Sequence, residues 1–227
     1  MKAVVFCVFL IVLSSPALAT PAISCHCFTD RNFDAARPDA ADPYFLATTQ
    51  NSFLAAVFDI NKKEIVKARM SGASEEDLWI GHFVATRSGR THAEVTDARK
   101  QSPTWSEALS LLNPDVDLLG SRFVTALEGA SETDMATAAA DEVLTTRLRV
   151  APEVLAELRT TGASTRETII SLFLSRRADH PALAFFTEVQ AGNKTWGQLL
   201  DGLGIKPGMI EGEIRKMLQG DGSAEKS

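Results

Sequence analysis

Tyrosine occurs once in the 227 residues, aromatic residues make up only 7%, and cysteine occurs three times. A chain so poor in rings must build its core from small aliphatic side chains, and three thiols exclude the densely cross-linked scaffold of a small disulfide-stapled domain. Positive charge is not in excess either: 23 Lys and Arg stand against 29 Asp and Glu, a formal net charge of −6. That balance disfavours nucleic acid or an anionic membrane as a partner. Past the first 13 residues no apolar run is long enough to span a bilayer, for which about 18 or more apolar residues are needed. Nothing alternates in period two for more than a few residues, as a half-buried strand would. A nucleophile elbow, a paired-carboxylate constellation, a zinc-protease helix and a phosphate loop are all missing. These absences point to an all-α protein and make an enzyme the weaker class.

What is present begins with the first residues. Lys2 gives a positive start, residues 3–13 an apolar run, and Ala17-Leu18-Ala19 a small-residue cleavage site, which together predict a secretory signal peptide over residues 1–19. The run is broken by Ser14, Ser15 and Pro16, which argues against a transmembrane anchor. Ala22-Ile23-Ser24 before Cys25 forms a loose lipobox, but the apolar run ends well upstream of it, so a lipoprotein anchored at Cys25 is the lesser alternative to an exported, periplasmic protein. Removing the signal takes Lys2 away and leaves 22 basic residues against 29 acidic ones.

The rest of the chain is written twice. Residues 44–112 realign on 134–203 at a nearly constant offset of 90: Gly72-Ala73-Ser74 recurs as Gly162-Ala163-Ser164, Arg69 as Arg159, Phe83 as Phe173, and Thr104-Trp105 as Thr195-Trp196 after a one-residue slip. A repeat fixes the unit that must fold, so the spacing predicts two helical repeat domains over 44–129 and 134–219, joined near Gly129 to Thr133 and followed by a disordered tail over 220–227. Helix punctuation agrees with the repeat. Ser74-x-x-Asp77 and Ser164-x-x-Glu167 are capping boxes, Thr104-x-x-Glu107 and Thr195-x-x-Gln198 repeat the device, and Gly72, Gly162, Asn113 and Gly204 sit where a left-handed helix end is wanted. Pro152 opens one helix at its first turn, where a proline has no amide to lose. Each unit is then about five short helices, 45–58, 62–71, 75–87, 91–100 and 105–112 in the first, with a further helix near 114–129 or 207–219.

Cys25-His26-Cys27 is the constellation with most chemical character. Cys7 leaves with the signal peptide, so in an oxidising compartment these two thiols pair with each other, pair with another molecule, bind something or are held reduced. A Cys25–Cys27 disulfide closes a small strained ring, and such bonds exchange readily; His26 between the thiols would lower a thiolate pKa. As a metal site the motif offers two sulfurs and one nitrogen, and a tetrahedral ion would want a fourth ligand such as His82, His92 or His180. The disulfide is the favoured reading and a metal ion the alternative. The flanking segment 28–43 has no second copy and should be irregular; Asp30, Asp34, Asp39 and Asp42 lack the spacing of a calcium loop and read as solvated linker charge.

Trp105 and Trp196 invite a binding-site reading, but each follows a capping threonine where an indole closes the end of its own bundle, so core packing is favoured. His82 replaces Leu172 on an apolar stripe and reads as a partly buried core histidine, whereas His92, Glu94 and Asp97 point to different helix faces and read as solvated surface. The run from Thr195 to Pro207 has the form of a helix-turn-helix opening, but the helix after it carries Glu211 and Glu213, unsuited to phosphates. Gly192-Asn193-Lys194-Thr195-Trp196-Gly197-Gln198 with Leu203-Gly204-Ile205, and Cys25-His26-Cys27-Phe28 with Ala41-Asp42-Pro43-Tyr44, resemble uncharacterised exported bacterial all-helical proteins; the first repeat departs with Ser106 for Gly197 and Asn113 for Gly204. That resemblance implies fold and location and no catalytic residue. The function expected is that of an exported interaction or adaptor protein, with a protein partner or self-association, and the alternative is a thiol-redox or metal-binding protein acting through Cys25-His26-Cys27.

Overall fold

The computed structural model describes residues 28–129 and 131–220. The expected signal peptide, Cys25-His26-Cys27 and residues 221–227 lie outside the described residues. Within them the protein is all-α, with no strand. Twelve α-helices follow one another: α1 (Asp42–Val57), α2 (Lys62–Met70), α3 (Glu75–Ser88), α4 (His92–Lys100), α5 (Trp105–Leu112), α6 (Ser121–Glu128), α7 (Glu132–Arg147), α8 (Pro152–Thr160), α9 (Thr165–Ala178), α10 (Ala182–Gln190), α11 (Trp196–Gly202) and α12 (Ile210–Gly220).

Local chemistry sets most of these boundaries. Ser74 and Ser164 each accept the amide of the residue three on, while the Asp77 or Glu167 carboxylate answers the cap amide; Thr195 and Gln198 do the same for α11. In α5 only half of the box forms, with Thr104 Oγ1 accepting from the Glu107 amide. Asn61 caps α2 by accepting from the Lys63 amide. Gly72 and Gly162 follow their helices at φ +96° and +97°, a conformation that an L side chain adopts only at a cost. The helix expected over 114–129 divides instead, because Gly120 at φ 80° and ψ 150° breaks it into a 3-10 turn over Val116–Leu119 and α6. At the other end α12 runs to Gly220, one residue into the expected tail.

The two halves share one interior. Their buried apolar residues form one continuous core, dominated by Phe53, Leu54, Trp79, Ile80 and Phe83 from one half and Leu144, Leu158, Ile170, Phe173 and Leu174 from the other. Each such side chain contributes about 1.5–3 kcal/mol when withdrawn from water. α1 packs on α9, α11 and α12, and α7 packs on α3 and α6. The 16-residue helix of each half thus lies on the 14-residue helix of the other.

Two carboxylates bind this exchange. Asp42, first residue of α1, accepts the amides of Trp196 at 3.0 Å and Gly197 at 2.8 Å, so it caps α11. Glu132, first residue of α7, accepts the Trp105 amide at 3.0 Å and so caps α5. Both satisfy amides that a helix N-terminus leaves without partners. Asp42 is therefore a structural cap, in place of the solvated linker charge expected from its surroundings, and its burial holds its pKa above the usual carboxylate value against the pull of those two amides. The segment before α1 is irregular, as expected, with Arg37 paired to Asp30 at 2.8 Å, and it lies over the start of α11, where Thr195 Oγ1 donates to the Pro38 carbonyl at 2.9 Å. A Cβ on Gly197 would meet Phe33 at 3.0 Å and Phe45 at 3.2 Å. This close approach is the physical reason for glycine there and Ser106 in the first half.

Candidate functional site

The segment at Phe28, α1 and α2 enclose a groove. Its inner part, about 520 Å³, is walled by Phe28, Tyr44, Ala47, Val66 and Met70, with Thr48, Asn51 and Lys62 at the floor. It runs on past Lys63 and Lys67 to Glu211 at the start of α12. Tyr44 is fixed edge-on by Phe28 at 5.5 Å, and the Arg31 guanidinium lies over its ring at 5.8 Å. Lys62 is half-buried and donates from Nζ to Thr48 Oγ1 at 2.8 Å. Burial holds its pKa below the usual lysine value, with Glu211 pulling the other way. An ammonium has three protons, so two remain for a guest.

Arg31, Lys62, Lys63 and Lys67 all line this groove. Among the described residues none of the four has a carboxylate within ion-pair distance. In a chain of net charge −6 this is a local inversion of sign. Burying a cation beside apolar walls without an anion costs stability unless a guest supplies one.

The second half has a cavity in the corresponding place, also about 520 Å³, lined by Asp134, Thr137, Ala138, Asp141, Pro152 and Ala156. These residues stand 90 positions after Tyr44, Ala47, Thr48, Asn51, Lys62 and Val66. Here the buried charge is matched: Arg159 Nη2 and Asp141 Oδ1 pair at 2.7 Å.

The histidines have a different arrangement. His82 is buried and stacks on His92 with ring centroids 3.9 Å apart and planes 13° from parallel, and the Phe58 ring lies 5.6 Å from it at 27°. Burial pushes the His82 pKa down to about 3, with His92 adding to the effect. His92 is exposed over the rest of its surface, and its pKa is lowered by the desolvation of its stacked side while Glu64 opposes the shift. His92 lines a cavity of about 430 Å³ together with Asp77, Arg99 and Trp105. Trp105 is buried and its indole Nε1 donates to Asp77 Oδ1 at 3.0 Å; Trp196 is buried as well. Both tryptophans are core residues. His82 is the buried histidine that its apolar stripe suggests, but His92 is no free surface residue, because α4 folds it onto His82. Face-to-face rings do not aim their nitrogens at a common point; His92 Nδ1 instead has the Thr96 hydroxyl of α4 beside it at 3.4 Å.

Of the sequence-derived site residues, Cys25, His26 and Cys27 lie outside the described residues, while the fourth ligands considered for them are dispersed: His82 and His92 stack together and His180 sits edge-on to Phe185 at 5.5 Å. Among the described residues no three His, Cys, Asp or Glu side chains converge as a metal site, and no helix is long and apolar enough to cross a membrane. The groove itself was not anticipated. Its signal was present in the repeat, where Lys63 and Lys67 stand opposite Glu153 and Glu157.

The fold and groove define an all-helical protein with a cation-lined groove in one half. Compared with protein-family models, curated proteins and solved structures, the chain matches none.

Proposed function

We propose that this chain is an exported, periplasmic interaction or adaptor protein that engages a protein partner through the groove between Phe28, α1 and α2. One observation carries the reading: four cations and apolar walls share one groove, with no carboxylate of the described residues within ion-pair distance of them. Interfaces with aromatic, methionine and arginine contacts at their centre have this composition. Tyr44, Met70 and Arg31 supply it. We also infer that the two halves arose by tandem duplication. In support, helix lengths run 16, 9, 14 and 9 in both halves, and left-handed residues recur 90 apart at Asp59 and Arg149 and at Gly89 and Asp179.

The test is site-specific photocrosslinking in the native envelope fraction. A photoreactive residue at Met70, in the groove, is expected to give one discrete product, and the same residue at Leu111, exposed on α5, is expected to give none. Equal labelling from both positions, or none from Met70, would reject the reading. A second reading has one observation in its favour: Phe28, the residue after Cys27, lines the groove, which would put a thiol-redox or metal-binding segment beside the docked partner. Intact mass of the unreduced exported protein separates its forms, as an internal disulfide, a covalent dimer, a bound ion or a lipid adduct at Cys25.

A further inference from the structure

α2 and α8 occupy corresponding places in the two halves and carry opposite charge on their outer faces. Lys63 and Lys67 on α2 stand where Glu153 and Glu157 stand on α8, 90 positions on. All four are exposed. Among the described residues none of them has an ion-pair partner, although other exposed charges find one, such as Lys100 with Asp97 at 3.1 Å and Lys206 with Asp201 at 2.9 Å. The cationic groove has Glu211 at its end, whereas the cavity at α8 has a balanced lining of Arg122 and Arg159 with Asp134 and Asp141. An apolar element accompanies each face. Met70, 60% exposed, projects at the end of α2, and the cavity beside α8 is walled by the exposed Pro152 and Ala156.

Resting on the interaction reading above, we propose that the partner is a second copy of this chain, whose α8 face docks on the α2 face. Lysines spaced by four and glutamates spaced by four each lie along one helix face. Set antiparallel, the two helices bring Lys63 to Glu157 and Lys67 to Glu153. α2 carries Glu64 as its one acidic residue, against Lys62, Lys63, Lys67 and Arg69, so the helix as a whole is cationic. The two faces are different surfaces, so the contact is head-to-tail, and it propagates into a chain or closes into a ring according to the rotation between copies. Exposed charge pairs of this kind set register and specificity and are screened by salt. The association is therefore modest and salt-sensitive.

The experiment is sedimentation velocity on the full exported chain across a concentration series, at about 20 mM and about 0.5 M NaCl, where the Debye length differs severalfold. Species larger than the monomer are expected at low salt and monomer at high salt. Lys63→Glu with Lys67→Glu should weaken association at least roughly tenfold, about 1.4 kcal/mol, and Glu153→Lys with Glu157→Lys should do the same. An equimolar mixture of the two double variants should associate again, because each then offers a face complementary to the other. Circular dichroism melts of these surface variants check that they remain folded. A monomer at low salt, variants that associate as the parent does, or a mixture that stays monomeric would overturn the proposal. If self-association is absent while Met70 crosslinks to a different protein in the envelope, self-docking falls and the interaction reading stands. If both are absent, both fall.

Discussion

The two halves of this protein repeat helix lengths and left-handed turns and differ in what they leave unsatisfied. The second half is closed: Arg159 is paired with Asp141 in its cavity, Leu172 and Ala182 occupy the places of His82 and His92, and the Phe28 segment covers the start of α11. The first half is open, with four cations in its groove that have no carboxylate within ion-pair distance among the described residues, and with histidines stacked on each other where the second half has Leu172 and Ala182. What the halves share is what the frame requires: the caps, the glycines at φ +96° and +97°, the arginines that donate to a carbonyl four residues on, and the buried tryptophans. Where they differ, the backbone does not decide the residue. Those positions are the ones free to carry specificity.

The largest expected effect tests whether the halves are one body. Trp105 and Trp196 are 1% and 2% exposed. Replacing either with alanine should cost about 3–5 kcal/mol. Because the core is continuous, urea denaturation followed by circular dichroism should stay a single transition that moves by a similar amount for both variants. Two separate transitions, with only one displaced, would show that the halves unfold independently. Next in size is the contrast between the arginines. Arg159 pairs with Asp141 and donates to the Ala163 carbonyl at 3.0 Å, whereas Arg69 donates to the Ala73 carbonyl at 2.9 Å and has no carboxylate in the place of Asp141. Arg159→Met should cost roughly 2–3 kcal/mol, since it leaves a largely buried aspartate alone, and Arg69→Met about half as much. Equal losses would mean that the ion pair adds nothing.

Much of this frame was legible in the sequence, and the boundary of what was legible has a physical cause. Capping boxes such as Ser74 with Asp77 act over three residues, so the same few side chains that announce a helix start also make its hydrogen bonds. Asn113 and Gly204, expected at left-handed helix ends, have φ 43° and 68°. Asp59 and Arg149 take up φ 53° and 52° with no glycine to announce it. The exchange of long helices between halves was hidden, because a helix's apolar stripe says that it must be covered and not by which neighbour. Asp42 shows the same limit. Its role depends on Trp196 and Gly197, more than 150 residues away, and its local sequence offered only a solvated aspartate. The stack of His82 on His92 likewise needs α3 and α4 to be placed side by side before either histidine means anything.

The histidine stack supplies the third contrast, and its sign can be worked out. The His82 pKa falls from 6.5 to about 3 in the folded protein, so between those values the unfolded chain binds a proton that the folded chain refuses. Stability from this group is therefore fully present above pH 6.5 and is lost as the pH falls through the window down to about 3. Between about pH 6.5 and pH 5 the loss amounts to up to about 2 kcal/mol. His82→Leu, which installs the residue of the second half, should flatten that acid limb. Urea midpoints across this pH range read it directly, and an unchanged slope in the variant would reject the assignment to His82. Leu172→His, the reverse exchange, should create a new acid-sensitive limb, with no second histidine at Ala182 to stack against it.

The smallest effect is at the ends of the two 14-residue helices. α3 ends at Gly89 with φ 68°, and α9 at Asp179 with φ 50°. Both hold the left-handed conformation, in which a Cβ is crowded by the following carbonyl, though aspartate tolerates it better than most residues. Asp179→Gly relieves that crowding and at the same time gives the unfolded chain more freedom, so the gain is the difference of two terms, a few tenths to about 1 kcal/mol. Gly89→Asp should lose a similar amount, and nothing within 4 Å of the Gly89 Cβ position adds a clash to it. If backbone conformation alone governs both ends, the double exchange leaves the thermal midpoint close to that of the parent. A net shift would assign the Asp179 side chain, or the setting of α3, a contribution that the two matched helix ends do not share.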